Sequence, residues 1–299
     1  MTVEPFWKSS FVIPAGAVEL FLDSVDVDAL SIAAFEIDDA ENGDGQLWCV
    51  EMLHREEPDP EDLEVLLEPL AERASLGSVS IDIDQVPDAD WVKEVQADMP
   101  PRRFGRFWVH GSHVDTPPPE GSTPIRLDAG LAFGSGEHAT TQGCLQAIDQ
   151  LARRRRFRRV LDMGCGAGML AIAAAKCWRA RVLAVDNDPI AVEVAAENAV
   201  LNGVGAHVKA LLSEGYADPQ IRMHGRYDVI LANILADPLC SMARDLSQVL
   251  AADGIAVLSG LLDRQASRVL VAHYGHGLFL RQRIQIGPWT TLVMSRKKA

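Results

Sequence analysis

The chain has 299 residues, 48% of them hydrophobic and 23% charged, and a net charge of −14 at pH 7, with a mean hydropathy of +0.04. That length suits two domains of about 100 to 200 residues each, and the composition excludes wholesale disorder. No apolar run approaches the roughly 18 residues needed to cross a bilayer, and the start Met1-Thr2-Val3-Glu4 lacks the basic-then-apolar shape of a secretory signal; a cytoplasmic protein without membrane contact is expected.

Five scattered cysteines (Cys49, Cys144, Cys165, Cys177, Cys240) make no Cys-x-x-Cys pair, which argues against a disulfide framework and a structural zinc site, and no metal is expected. Charge is divided unevenly. Residues 1–85 carry 21 Asp and Glu against three basic residues (Lys8, Arg55, Arg73), whereas residues 86–299 carry 21 acids and 25 bases. A strongly anionic first part suits a basic protein partner and speaks against a nucleic-acid grip, although acidic residues also keep small domains soluble.

In chain order, residues 6–13 read as a strand ended by Pro14, 17–22 as a helix, and 32–37 and 47–53 as strands separated by the turn residues Asn42, Gly43, Asp44 and Gly45. Asp59-Pro60-Glu61 opens a helix running to about Leu76, because an Asp cap followed by Pro leaves no needed amide unpaired. Val79, Ile81 and Ile83 alternate as a closing strand. The order β-α-β-β-α-β is the ferredoxin-like pattern, so residues 1–85 are expected to form a small α+β domain. Residues 86–124 read as a linker with local structure, since Trp91, Phe104, Phe107 and Trp108 are too large and apolar to stay wet.

From residue 125 to 299 strands and helices alternate, which means parallel strands with crossover helices. Strands are expected at 160–161, 182–185, 208–212, 229–232 and 255–258, with helices at 169–176, 189–202, 238–250 and 264–273. The last two strands, 279–286 and 291–294, are joined by Gly287-Pro288 and should pair antiparallel.

The stretch Val160-Leu161-Asp162-Met163-Gly164-Cys165-Gly166-Ala167-Gly168-Met169 runs a buried strand through a glycine turn into a helix. Such a turn lets backbone approach a ligand where a Cβ would clash. Its Gly-x-Gly-x-Gly spacing differs from the dinucleotide fingerprint Gly-x-Gly-x-x-Gly. About 20 residues on, Val182-Leu183-Ala184-Val185-Asp186 ends in an acid placed to accept both hydroxyls of a ribose. Asp188-Pro189 then caps a helix.

These residues resemble the class I S-adenosylmethionine-dependent methyltransferases, whose first motif matches residues 162–168 with Asp186 as the ribose acid. The resemblance implies a Rossmann-like α/β domain whose parallel sheet ends in an antiparallel hairpin. Asn233, in Asp228-Val229-Ile230-Leu231-Ala232-Asn233-Ile234-Leu235-Ala236, lies where ligands sit beyond the carboxyl ends of parallel strands. An uncharged amide there accepts an amine N–H without stabilising the protonated amine as a carboxylate would; the competing reading is that Asn233 caps the following helix.

Most such enzymes carry a proline pair and an aromatic after that Asn. Asn-Ile-Leu-Ala, together with Gly134-Ser135-Gly136-Glu137-His138-Ala139-Thr140-Thr141, resembles the ribosomal protein L-eleven methyltransferase family, with Ser135 in place of the usual Thr. Asp90-Trp91-Val92 and Gly287-Pro288-Trp289 extend the likeness along the chain. The resemblance implies cofactor contacts at Thr141, Gly164, Asp186 and Asn233, to which Asp162 and Gly166 of the same motif are added; Asn233 is also the catalytic candidate. It further implies S-adenosylmethionine as cofactor and methylation of lysine ε-amines and the N-terminal α-amine of that basic large-subunit protein. A monomer without direct nucleic-acid binding is expected. Rival readings are methylation of another protein or of an RNA nitrogen, and a non-catalytic ribosome-assembly factor. The run Arg153 to Arg156 with Arg158 and Arg159 reads either as a solvated helix end or as an RNA contact.

Overall fold

In the computed structural model of the protein, residues 6–24, 29, 31–37, 47–77, 79–86, 101–127, 139–223 and 225–296 are described. The turn at Asn42 to Gly45, the segment around Trp91 and the loop bearing Ser135 and His138 lie outside them. Two units divide the chain, residues 1–94 and 95–299.

The first unit holds β1 (Phe6–Pro14), α1 (Ala15–Ser24), β2 (Ser31–Ile37), β3 (Leu47–His54), α2 (Pro60–Arg73) and β4 (Ile81–Val86). Its sheet is ordered β2-β3-β1-β4 with every neighbouring pair antiparallel. β1 and β2 therefore run parallel with β3 inserted between them, a split β-α-β arrangement. Along β1 the buried residues Ser9, Phe11 and Ile13 alternate with outward ones, the period of a half-covered strand. Phe11, Ile13, Phe21, Met52 and Leu67 form the core. Asp59 caps α2 by accepting from the Glu61 amide at 2.9 Å. The helix stops at Arg73, short of the expected Leu76, because Ala74 closes it and Ser75 turns left-handed at φ +55°.

The second unit opens with a small sheet, β5 (Arg102–Phe104), β6 (Phe107–His110) and β7 (Thr123–Arg126). These residues were expected to form a linker with local structure whose large aromatics pack on a neighbouring domain. Phe104, Phe107, Val109 and Ile125 join the core of the large sheet. There follow α3 (Ala139–Ala152), β8 (Arg159–Met163), α4 (Met169–Trp178), β9 (Arg181–Asp186), α5 (Pro189–Leu201), β10 (Val208–Leu212), α6 (Pro219–Met223), β11 (Tyr227–Asn233), α7 (Ala236–Ser241), α8 (Ala243–Val249), β12 (Leu250–Leu262), α9 (Ala266–Tyr274), β13 (Leu278–Ile286) and β14 (Trp289–Arg296).

The large sheet is ordered β10-β9-β8-β11-β12-β14-β13. It is parallel as far as β12, and β14 runs antiparallel to both β12 and β13; the expected α/β sheet with a terminal hairpin is what forms. Both faces are covered. Val229 and Leu231 of β11 enter one core and Ile230 and Ala232 the other, which is why such strands read as unbroken apolar runs. The helix expected at 238–250 begins at Ala236 and breaks at Met242 into α7 and α8. Strand order reverses between β8 and β11, and the crevice beyond their carboxyl ends is where open parallel sheets take ligands. Among the described residues, no helix is long and apolar enough to cross a membrane.

Candidate ligand-binding site at the sheet's switch point

At the end of β8 the chain turns through Gly164, Gly166 and Gly168, with φ +70°, +49° and +81°. Two of these glycines are enforced by space as well as by backbone angle. A Cβ on Gly164 would collide with Ile234 Cγ2, and one on Gly168 would lie 3.1 Å from the Ala195 backbone on α5. Gly164 and Cys165 both donate to the Val185 carbonyl, at 2.8 and 3.0 Å, and the Asn198 amide donates to Ala167 O at 2.9 Å. The turn is thus held by β9 and α5 on either side.

Asp186 ends β9 half-buried. Its Oδ2 accepts from the Gly166 amide at 2.9 Å and its Oδ1 from the Asp188 amide at 3.1 Å. A carboxylate offers about four lone-pair positions, so Asp186 retains acceptor capacity on both oxygens while pinning the turn. Asp188 caps α5 through the Ile190 amide at 2.8 Å.

Asp162 is 1% exposed. Its Oδ2 accepts from the Ala171 amide at 2.8 Å, which satisfies a first-turn donor of α4 that Gly168, the residue at the cap, has no side chain to reach. Its Oδ1 is buried and has no partner among the described residues. Burial pushes the Asp162 carboxyl up to about 8; the Ala171 amide opposes that shift and the Asp186 charge adds to it.

Asn233 ends β11 and does not cap the following helix, whose N-cap is Leu235. The Asn233 Nδ2 donates to Thr141 Oγ1 at 3.3 Å, and its Oδ1 is buried without a partner among the described residues. Thr141 lies in the first turn of α3 and is almost wholly buried. The contact between Gly164 and Ile234 sets the Asn233 segment beside the glycine turn. The structure therefore brings Thr141 to Asn233, Gly166 to Asp186, and both pairs to one end of the sheet.

Cys165 sits between the glycines with its thiol pushed up, burial first and then the charges of Asp162 and Asp186; this disfavours a reactive thiolate. The arginine run spans the connection from α3 to Arg159, the first residue of β8, at the amino end of that strand and so away from the switch point. Arg153 pairs with Asp149 at 2.9 Å, and Arg155 pairs with Asp253 at 2.5 Å over the Phe157 ring. Burial would raise the Asp149 carboxyl, but Arg153 and Arg106 outweigh it and hold it below its usual value.

Several buried groups around the site were not singled out in the sequence. Ser259 of β12 donates to Thr140 O at 3.2 Å and lies 2.8 Å from Thr291 Oγ1 of β14. The available signal was a hydroxyl residue within each of two strands, Ser259 beside Leu258 and Thr291 beside Thr290, which by itself does not say what the hydroxyl faces.

The family model for "Ribosomal protein L11 methyltransferase (PrmA)" matches residues 15–297. The ribosomal protein L11 methyltransferase of Rhodopseudomonas palustris is 38% identical over 301 residues, covering 99% of each chain. That of Bradyrhizobium diazoefficiens is 39% identical over 300 residues with the same coverage. Among solved structures, a ribosomal protein L11 methylase from Lactobacillus delbrueckii subsp. bulgaricus aligns with a TM-score of 0.58 at 31% identity, covering 65% of this chain and 95% of that one.

Proposed function

Because the chain belongs to the ribosomal protein L11 methyltransferase family, whose methyl donor is S-adenosylmethionine, we propose that it methylates lysine ε-amines and the N-terminal α-amine of ribosomal protein L11. The observation that carries this reading is the Asn233 carboxamide, whose Nδ2 is tied to Thr141 while its buried Oδ1 has no partner among the described residues. A buried acceptor left open costs free energy unless a ligand completes it, and an amine N–H is a donor of the required kind.

The residues present fit the cofactor. Asp186 has lone pairs left for ribose hydroxyls after binding two amides, and Gly164 and Gly166 present backbone without a Cβ at their own positions. Thr141 accepts from Asn233 and so keeps its own proton for a carboxylate near the start of α3. Asp162 holds α4 in place and has one oxygen without a partner among the described residues. When bound, S-adenosylmethionine supplies a sulfonium-activated methyl group for in-line displacement by an amine lone pair.

Asn233 accepts an N–H of the incoming amine and orients its lone pair, so the chain contributes chiefly positioning. A lysine of pKa near 10.4 costs roughly 4.6 kcal/mol to present as the free amine at pH 7. A carboxylate in place of Asn233 would raise that cost by favouring the ammonium. None of the motif residues stands as a general base, and the proton passes to solvent before attack. The anionic first unit recognises the basic substrate protein, and the enzyme works as a monomer in the cytoplasm without direct nucleic-acid contact.

The test is to incubate the purified protein with methyl-labelled S-adenosylmethionine and unmethylated L11, then locate label by peptide mass spectrometry. Label on lysine ε-amines and the α-amine is expected. Label confined to other residue types, or to RNA when ribosomal RNA is supplied, overturns the assignment.

A further inference from the structure

We propose that Ser259 and Thr291 are positioning residues for methyl transfer, holding the start of α3 against the ends of β11 and β12 so that Thr141 fixes the Asn233 carboxamide. The inference rests on the amine-orienting role of Asn233.

Ser259 is the register partner of Asn233 across the parallel β11/β12 pair and is wholly buried. Its carbonyl accepts from the Ile234 amide at 3.2 Å, and its hydroxyl donates to Thr140 O at 3.2 Å. The 2.8 Å contact between the Ser259 and Thr291 hydroxyls can be donated from either side, and when the Ser259 proton goes to Thr140 O, Thr291 is the donor. A hydrogen-bonded path thus joins Thr291, Ser259 and Thr140. The next residue, Thr141, accepts from Asn233 Nδ2, and Ile234 returns to Ser259. The bonds close a ring through the carboxamide, with one Nδ2 proton on Thr141 and Oδ1 without a partner among the described residues.

Two glycines permit this approach. Gly143 lies inside α3, where glycine weakens a helix, yet a Cβ there would collide with Thr291 Oγ1 and come within 3.1 Å of Thr291 Cβ. Gly260, at φ +85° in the irregular stretch of β12, would strike the Ile234 backbone if it carried a Cβ. Packing α3 on the sheet requires neither hydroxyl, since buried polar groups are stabilising only when bonded and an alanine or valine would fill the same space. Setting the position of Thr140 and Thr141 does require them.

The test compares Thr291→Val, which is isosteric and lacks the hydroxyl, and Ser259→Ala with Thr291→Ser, which keeps it. In the ligand-free protein the Asn233 side-chain NH2 signals in a 1H–15N spectrum, assigned by their disappearance in Asn233→Asp, should shift in the first two variants and return in Thr291→Ser. With L11 and S-adenosylmethionine, at temperatures well below melting, kcat should fall about tenfold in the first two variants, the scale of one lost buried hydrogen bond. KM for L11 should hold, and Thr291→Ser should recover kcat to within about twofold. An unmoved Asn233 signal with kcat within about twofold of wild type in both hydroxyl deletions overturns the proposal. Should the wild-type protein not methylate L11, the functional reading fails, and the amide signal alone decides the positioning network: movement supports it and its absence overturns it.

Discussion

Asn233 ends β11 with an open acceptor, whereas Asp186 ends β9 with both oxygens already bonded to backbone amides, and the difference separates orientation from affinity. Asn233→Ala is expected to retain S-adenosylmethionine binding in calorimetry while losing about 10²-fold in turnover, the scale of one preorganised hydrogen-bonding group. A large loss of affinity with turnover intact would give Asn233 a different job. Asp186→Ala should instead weaken cofactor binding by about 1.5 to 3 kcal/mol, as for a hydrogen bond to a charged group, and unchanged affinity rejects the ribose role. Asp162 makes a prediction about pH. Its carboxyl is raised to about 8 in the folded protein, so between about pH 4 and pH 8 the native state holds a proton that the unfolded chain has released, and stability falls as pH rises through that window. Asp162→Asn keeps an acceptor for the Ala171 amide and removes the titration. Relative to the variant, the wild-type protein should lose stability by on the order of 1 kcal/mol per pH unit across the window in urea unfolding; parallel pH profiles would refute the buried protonated carboxyl.

Among the elements, α4 depends most on its approach. Its first turn is capped from a distance by Asp162, and Gly168 carries the left-handed angle against the Ala195 backbone. Gly168→Ala is therefore expected to destabilise the protein by about 1 to 3 kcal/mol in denaturant titration, and a change below about 0.5 kcal/mol would show that the turn relaxes freely. Most elements were legible because their causes are local. Asp59-Pro60 and Asp188-Pro189 cap α2 and α5 through amides two residues on, and doubly covered strands such as β11 announce themselves as apolar runs. The break at Met242 was not legible, since no proline or glycine stands at the junction and each helix buries its own apolar residues. Burial of Phe104 and Phe107 was legible from their size, between Pro87 and the Pro117-Pro118-Pro119 run that read as linker, but not which core they reach, because it is built from residues far along the chain.

Across the whole molecule, charge is the feature with a functional consequence. Residues 1–85 hold half of the 42 acidic residues but only three of the 28 basic ones, and such a field should speed encounter with a basic protein. The ratio kcat/KM for L11 is expected to fall several-fold between about 50 mM and about 500 mM salt; a salt-independent value with folded enzyme would leave the acids a solubility role only. By itself the sequence determined the strand, glycine turn and helix at residues 160–176, the acid at Asp186 and the order of parallel strands ending in a hairpin. Positive φ, absence of a Cβ, capping and apolar period are properties of neighbouring residues. Only the tertiary structure decided which groups surround Asn233. Thr140 and Ser259 are 119 residues apart and Ser259 and Thr291 are 32 apart, and a hydroxyl in an apolar strand does not reveal its partner until sheet order and helix packing bring the two together.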